Sequence, residues 1–127
     1  MNCPCGHPLP YEKCCAPFHD GTDLPATAEA LMRSRYSAYA LKKIDYIFET
    51  TDPQTRSGID RAANEAWARE AEFLGLEVIA SRDEGNKGFV EFKATYRTGG
   101  ETRVHHEKSR FRRQQGRWYF RDGTAKS

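Results

Sequence analysis

The chain has 127 residues, 38% hydrophobic and 30% charged, with a formal net charge of +2. That balance suits one soluble globular domain plus a short appendage, and no apolar run approaches the ~20 residues that span a bilayer. The near-neutral total hides an asymmetry. Residues 97–121 hold Arg97, Arg103, Lys108, Arg110, Arg112, Arg113, Arg117 and Arg121 against Glu101 and Glu107, a local +6 that leaves −4 elsewhere.

In chain order, the cysteines come first. They stand as Cys3-Pro4-Cys5-Gly6 and Tyr11-Glu12-Lys13-Cys14-Cys15, with none further on. A tetrahedral zinc needs four converging soft ligands at about 2.3 Å, and a Cys-x-Cys hook followed by a returning pair can supply them. Gly6 suits the turn that leaves the first hook, because it tolerates positive φ. A disulfide framework and free buried thiols are the alternatives. Cys3 follows Met1 too closely for a signal peptide, so the chain reads as cytoplasmic, where disulfides are rare. Two disulfides here would also close very short loops for little entropy. The expected ligands are Cys3, Cys5, Cys14 and Cys15, with His19 or His7 competing for the fourth place. With four protein ligands no position is left for water, so the zinc is expected to be structural and not catalytic.

This spacing resembles the SEC-C zinc motif, known from the tail of the translocation ATPase SecA, where it contacts the chaperone SecB. There the last ligand is usually histidine beside the third cysteine; Cys15 holds that place here. The resemblance implies a binding role and a protein partner.

Residues 1–19 form this knuckle, and Asp20 to Ala26 read as a turn-rich linker. A helix is expected from Thr27 as N-cap to about Lys43, with Ala28, Leu31, Met32, Tyr36 and Tyr39 on one face. A short helix over 44–50 should stop before Asp52-Pro53. A third is expected from Asp60 to Phe73. The period then changes. Leu76–Ser81 reads as a strand, and Val90, Phe92, Ala94 and Tyr96 alternate with polar residues over 88–97. Thr98-Gly99-Gly100 turns the chain; strands over 102–113 and 117–121 follow. Helices first and an antiparallel meander afterwards predict an α+β layer with helices on one sheet face.

Leu31-Met32-Arg33-Ser34-Arg35-Tyr36, Ser109-Arg110-Phe111 and the run Gly116-Arg117-Trp118-Tyr119-Phe120-Arg121-Asp122-Gly123 resemble the YchJ family of bacterial proteins, in the same order and after the same N-terminal motif. The resemblance implies that residues 24–123 adopt the nuclear transport factor 2-like (cystatin-like) cone, in which a curved antiparallel sheet wraps around helices and often leaves a pocket. Many members carry a second SEC-C motif after the Asp-Gly. None follows Gly123 here, so a function needing two knuckles is not expected. The resemblance implies no particular reaction.

With Phe111 inward on its strand, Ser109, Glu107 and His105 point inward too, while Lys108, Arg110 and Arg112 face outward as a solvated face or an anionic partner's surface. His105 and His106 face opposite ways and should not share a metal. His105 beside Glu107 reads as a core hydrogen bond or an acid–base pair. Arg35 falls inside the apolar stripe of the first helix. A buried charge needs a partner, so Arg35 is expected to pair with Glu107, with Asp122 as the alternative. Arg35, His105, Glu107 and Ser109 are thus the pocket candidates. No Walker loop, dinucleotide fingerprint, nucleophile elbow or HExxH appears, so no residue is read as catalytic and an enzyme is the less favoured class. The readings are a zinc-knuckle interaction or adaptor protein, a small-molecule-binding or enzymatic pocket in the cone, and nucleic-acid binding through residues 97–121. The body has its own apolar faces and is expected to fold without the knuckle.

Overall fold

The computed structural model describes residues 2–126, Lys126 through its backbone alone. A 3-10 turn (Tyr11–Lys13) leads into α1 (Ala16–His19), α2 (Ala28–Ala40), α3 (Ile44–Glu49) and α4 (Arg61–Glu70). The strands follow: β1 (Glu72–Glu84), β2 (Lys87–Thr98), β3 (Glu101–Gln114) and β4 (Arg117–Lys126). The described strands pair antiparallel in the order β1-β2-β3-β4. Two hairpins turn through paired positive φ angles, Gly99-Gly100 and Gln115-Gly116, the geometry that matches the twist of the flanking strands. Bulges at Phe73/Gly75, Val78/Ala80 and Arg110/Phe111 bend the sheet.

Helix α2 is the axis of the molecule. Thr27 caps it by accepting a hydrogen bond from the Ala30 amide at 3.0 Å. Ala28, Leu31, Met32 and Tyr36 pack against Val90, Phe92, Ala94, Phe111 and Trp118 on the inner sheet face. Burial on this scale drives the fold, at roughly 25 cal/mol per Å² of apolar surface. Gly88 marks the closest approach, since a Cβ there would lie 2.6 Å from that of Ala28 and 3.0 Å from the Trp118 ring. The expected α+β layer is therefore present.

Several boundaries differ from expectation. Helix α2 stops at Ala40 and not Lys43, because Lys42 takes a left-handed φ of 64°. From there its ammonium bonds the carbonyls of Ala68 and, at 2.8 Å, Ala71. This closes the C-terminal end of α4, as a lysine near a helix C-terminus does. Phe73 is not helical: β1 starts at Glu72, pairing Glu72 with Arg97 and Phe73 with Tyr96. The ladder outcompetes the helical period there, and β1 outruns the expected 76–81 for the same reason. Strand β4 extends past Arg121 because Asp122 to Lys126 pair with His106 to Arg110.

Beyond α3 the chain runs along the open edge of β4. Thr51 bridges Phe120 in parallel. The Asp52 amide donates to the Phe120 carbonyl at 2.7 Å, and the Phe120 amide to Thr50 at 2.8 Å. Part of an otherwise unpaired edge is thereby covered. Among the described residues no helix is long and apolar enough to cross a membrane.

Candidate metal centre and sheet cavity

The N-terminal loop converges its sulfurs through short backbone bonds. The Cys3 amide bonds the Leu9 carbonyl at 2.7 Å, and the Gly6 amide the Cys3 carbonyl at 3.2 Å. Gly6 adopts φ 97° at this turn. The 3-10 turn and α1 then present Cys14 and Cys15. The Sγ atoms of Cys3, Cys5, Cys14 and Cys15 all lie within 4.8 Å of one another. Cys5 and Cys14 are 3.5 Å apart, Cys14 and Cys15 3.9 Å. Tetrahedral geometry with metal–sulfur bonds of about 2.3 Å spaces sulfurs by roughly 3.8 Å, so these thiols could hold a metal ion. Cys3, Cys5 and Cys15 are buried.

The thiols share their charge unevenly. Hydrogen bonds to sulfur, from Cys15 first, draw Cys5 down to about 4 against its burial. Burial and the neighbouring Cys5 push Cys14 up to about 12. The Cys5 hydrogen bond and burial push Cys15 up as well. A metal held by all four sulfurs needs them as thiolates, so its binding would release the remaining thiol protons.

The four-sulfur cluster includes neither histidine. His19 donates from Nε2 to the Ser34 carbonyl at 2.8 Å, so its Nδ1 accepts from the Tyr11 hydroxyl at 2.6 Å. Burial holds the His19 pKa below its ordinary value, in keeping with that neutral tautomer. His7 stands beside the cluster, Nδ1 3.6 Å from the Cys14 sulfur.

The knuckle is seated on α2. Arg33 donates to the Cys5 carbonyl at 2.8 Å and bonds Glu29, which accepts from Ser81 of β1. Ser37 lies 3.7 Å from the Cys3 sulfur, and the Ser34 hydroxyl meets Tyr46 at 2.7 Å. Ser34 and Ser37 are fully buried. Their small polar side chains opposite the apolar stripe were the available signal for this contact, and the helical period alone passes over it.

On the other side of α2 a cavity of about 270 Å³ opens between helix and sheet. Arg35, His105, Glu107 and Ser109 all line it, with Phe92, Phe111 and Phe120 from the sheet. Trp67, Phe73 and Tyr39 form a second wall of mutually edge-on or stacked rings, with centroids 5.4–6.0 Å apart. His105 bonds Glu107 at 2.8 Å, whose other oxygen accepts from Ser109. His106 goes to Glu91 at 2.7 Å, so the adjacent histidines serve separate carboxylates.

The expected pairing of Arg35 with Glu107 is absent. Arg35 is 8% exposed, yet among the described residues no carboxylate lies within 4.0 Å of it. Its Nη1 donates to the Ile47 carbonyl at 2.9 Å and to Thr50 and Thr51 at 2.8 and 3.3 Å. The guanidinium sits 4.5 Å over the Phe120 ring. The C-terminal end of α3 supplies carbonyl and hydroxyl acceptors at shorter range than the sheet's carboxylate. Asp122, the alternative partner, is held by Arg110 instead. Burial lowers the Arg35 pKa from its ordinary value.

The basic segment is largely engaged within the molecule. Arg97, Arg103, Arg110, Arg112 and Arg121 each meet a carboxylate. Arg113 bonds Asn86 and Gly85.

Comparison with known proteins agrees with this architecture. The family model for the middle, NTF2-like domain of YchJ matches residues 27–123. A UPF0225 protein of Actinobacillus succinogenes is 42% identical over 125 residues, covering 97% of this chain and 81% of the relative. The solution structure of a SEC-C motif containing protein from Rhodopseudomonas palustris is 51% identical, with a TM-score of 0.93 and full coverage of both chains. The crystal structure of a SEC-C motif containing protein from Psychrobacter arcticus is 38% identical, with a TM-score of 0.85, covering all of this chain and 84% of that one.

Proposed function

The chain belongs to the YchJ family, and on that premise we propose that it is a zinc-dependent interaction protein. Cys3, Cys5, Cys14 and Cys15 hold one structural Zn²⁺, and the knuckle so formed carries a protein partner. The observation that supports this most is the mutual closeness of the four sulfurs, all within 4.8 Å. The protein itself fills every tetrahedral position, so the metal orders a surface and activates no water. That surface presents Leu9, a large apolar side chain from the loop between the two cysteine pairs, 44% exposed. Thiols in this role belong in a reducing compartment, which supports a cytoplasmic location.

Metal analysis and affinity capture from native extract test this reading. Protein purified without chelator carries about one zinc per chain, as expected for a four-ligand structural site, and a partner captured by the wild type is lost with both Cys14→Ser and Leu9→Asp. Zinc near zero under reducing conditions overturns the metal assignment. Equal capture by both variants overturns the knuckle as the contact surface. The second reading, a ligand pocket in the cone, is favoured by the aromatic cavity at Arg35. Nucleic-acid binding is the weakest, because five of the eight cations of residues 97–121 already meet carboxylates.

A further inference from the structure

Among the described residues Arg35 is the one arginine or lysine in the cavity lining, and it is only partly used. Its side chain is more than nine-tenths buried. All three of its hydrogen bonds leave from Nη1, toward Ile47, Thr50 and Thr51. Among the described residues Nε and Nη2 have no acceptor. These two nitrogens form the side-on fork of a guanidinium, whose spacing matches the two oxygens of a carboxylate. Glu107 does not answer it, because its oxygens accept from His105 and Ser109. Buried charges are almost always paired, and this one faces a cavity where a partner fits.

The rest of the lining describes that partner. Phe92, Phe111 and Phe120 form one wall, Trp67 and Phe73 the other. Such rings favour an aromatic guest in edge-on or offset contact. The volume of about 270 Å³ lies at the lower edge of small-molecule sites, roughly 300–1,000 Å³. That limits the guest to about one ring with a short acidic arm.

We propose that the cavity between α2 and the sheet is a binding site for a small aromatic carboxylate, its acid on the Nε/Nη2 edge of Arg35 and its ring between the phenylalanine and tryptophan walls. No covalent step is implied. The site lies on the face of α2 opposite the knuckle and is independent of the zinc reading.

Phenylacetate, phenylacetamide and acetate, titrated separately into the zinc-loaded full chain and followed by amide NMR and tryptophan fluorescence, test it. Phenylacetate shifts the amides of Phe92, His105 and Phe111 and perturbs Trp67. Phenylacetamide, which keeps the ring and loses the charge, binds about tenfold or more weakly, the scale of a lost charge-assisted pair. Acetate, without the ring, leaves those amides unmoved over the same range. Arg35→Gln removes the preference for the acid. Should that variant fail to fold, Ala94→Leu, which fills the cavity and leaves Arg35 in place, abolishes phenylacetate binding. Equal affinity for acid and amide, shifts mapping outside the cavity, undiminished binding to Ala94→Leu, or no saturable binding below about 10 mM, a standard free energy of only a few kcal/mol, overturns the proposal.

Discussion

Arg112 grips Asp52 with two prongs, Nε to Oδ2 at 2.8 Å and Nη2 to Oδ1 at 2.7 Å. Asp52 is fully buried and also accepts from the Gln54 amide at 2.9 Å and from Arg121 at 3.3 Å. One carboxylate thus ties the segment after α3 to β3 and β4. Arg112, which strand alternation places on a solvated outer face, is part of the frame that holds α3 and so the acceptors of Arg35.

Asp52→Asn should therefore destabilise the fold by about 2–4 kcal/mol. Breaking a buried pair costs roughly 3–5 kcal/mol, and Arg112 keeps 27% of its side chain in water, which lowers the figure. The Arg112 hydrogen bonds hold the Asp52 carboxyl below the usual carboxylate range. A depressed acid stabilises the fold above its unfolded pKa, near 3.9, and loses that contribution as pH falls through the folded value. Wild type should lose stability in this acidic window more steeply than Asp52→Asn. Urea melts across pH 2–6 give the comparison, and parallel slopes would remove Asp52 from the account.

Metal and seat should separate in one pair of variants. His19→Ala should keep its metal, because both ring nitrogens serve Tyr11 and Ser34. It should still lose about 1–3 kcal/mol, the usual cost of stranding buried hydrogen-bonding groups. Cys14→Ser should lose the metal. A chain truncated to begin at Asp23 should melt cooperatively, since the α2–sheet core is intact, but at lower temperature, because Ser34 and Ser37 become wet. A loss of about 1–2 kcal/mol is worth roughly 5–10 °C for a domain of this size. An unchanged melting temperature would mean that the contacts of Arg33, Ser34 and Ser37 with the knuckle contribute nothing.

Arg35 and Glu107 should couple only weakly in a double-mutant cycle with Arg35→Met and Glu107→Leu. They share a cavity and the charge of Glu107 reaches Arg35, but no direct pair joins them, so the coupling energy should be about 1 kcal/mol or less, at the low end for residues that share a cavity. Arg35→Met alone should cost roughly 1–3 kcal/mol through the stranded acceptors at Ile47, Thr50 and Thr51. Coupling of several kcal/mol would restore the ion pair.

What the sequence reveals depends on whether a feature is local. The four cysteines declare themselves because ligand spacing along the chain is itself the chemistry. The inward set Val90, Phe92 and Ala94 follows from a period of two, and the Thr27 cap from the residue types at a helix start. The choice among long-range partners is not local. Arg35 in an apolar stripe announces that something must meet it, but the acceptors at the end of α3 and the carboxylate on β3 are equally plausible until the chain is folded. Asp52 beside Pro53 reads only as a helix stop. Of its three partners, the cations Arg112 and Arg121 come from strands that lie 60 residues or more along the chain, and only the Gln54 amide is local. Phe73 carries helical and strand patterns at once, and pairing with Tyr96 decides for the strand.

Gly123 provides the last prediction. It pairs with Ser109 across β3 and β4, and the Glu107 carboxylate lies directly over it, inside the contact radius of any Cβ placed there. A glycine at this point is what lets Glu107 reach Ser109 and His105 together. The obstructing atoms are the far end of a flexible side chain, so Gly123→Ala should fold. Glu107 must then swing away, losing its bonds to His105 and Ser109. The expected cost is about 1–2 kcal/mol, that of a broken charged hydrogen bond offset by the freedom of the side chain. The local readout is His105. Its Nε2 bond to Glu107 at 2.8 Å is lost in both cases, so the His105 ring ¹⁵N and ¹H chemical shifts should change in Gly123→Ala and also in Glu107→Gln. His106, bonded to Glu91 on the opposite face, should keep its ring chemical shifts in both. A shift at His106 equal to that at His105 would show that the substitution disturbs the strand as a whole and that Gly123 has no particular tie to Glu107.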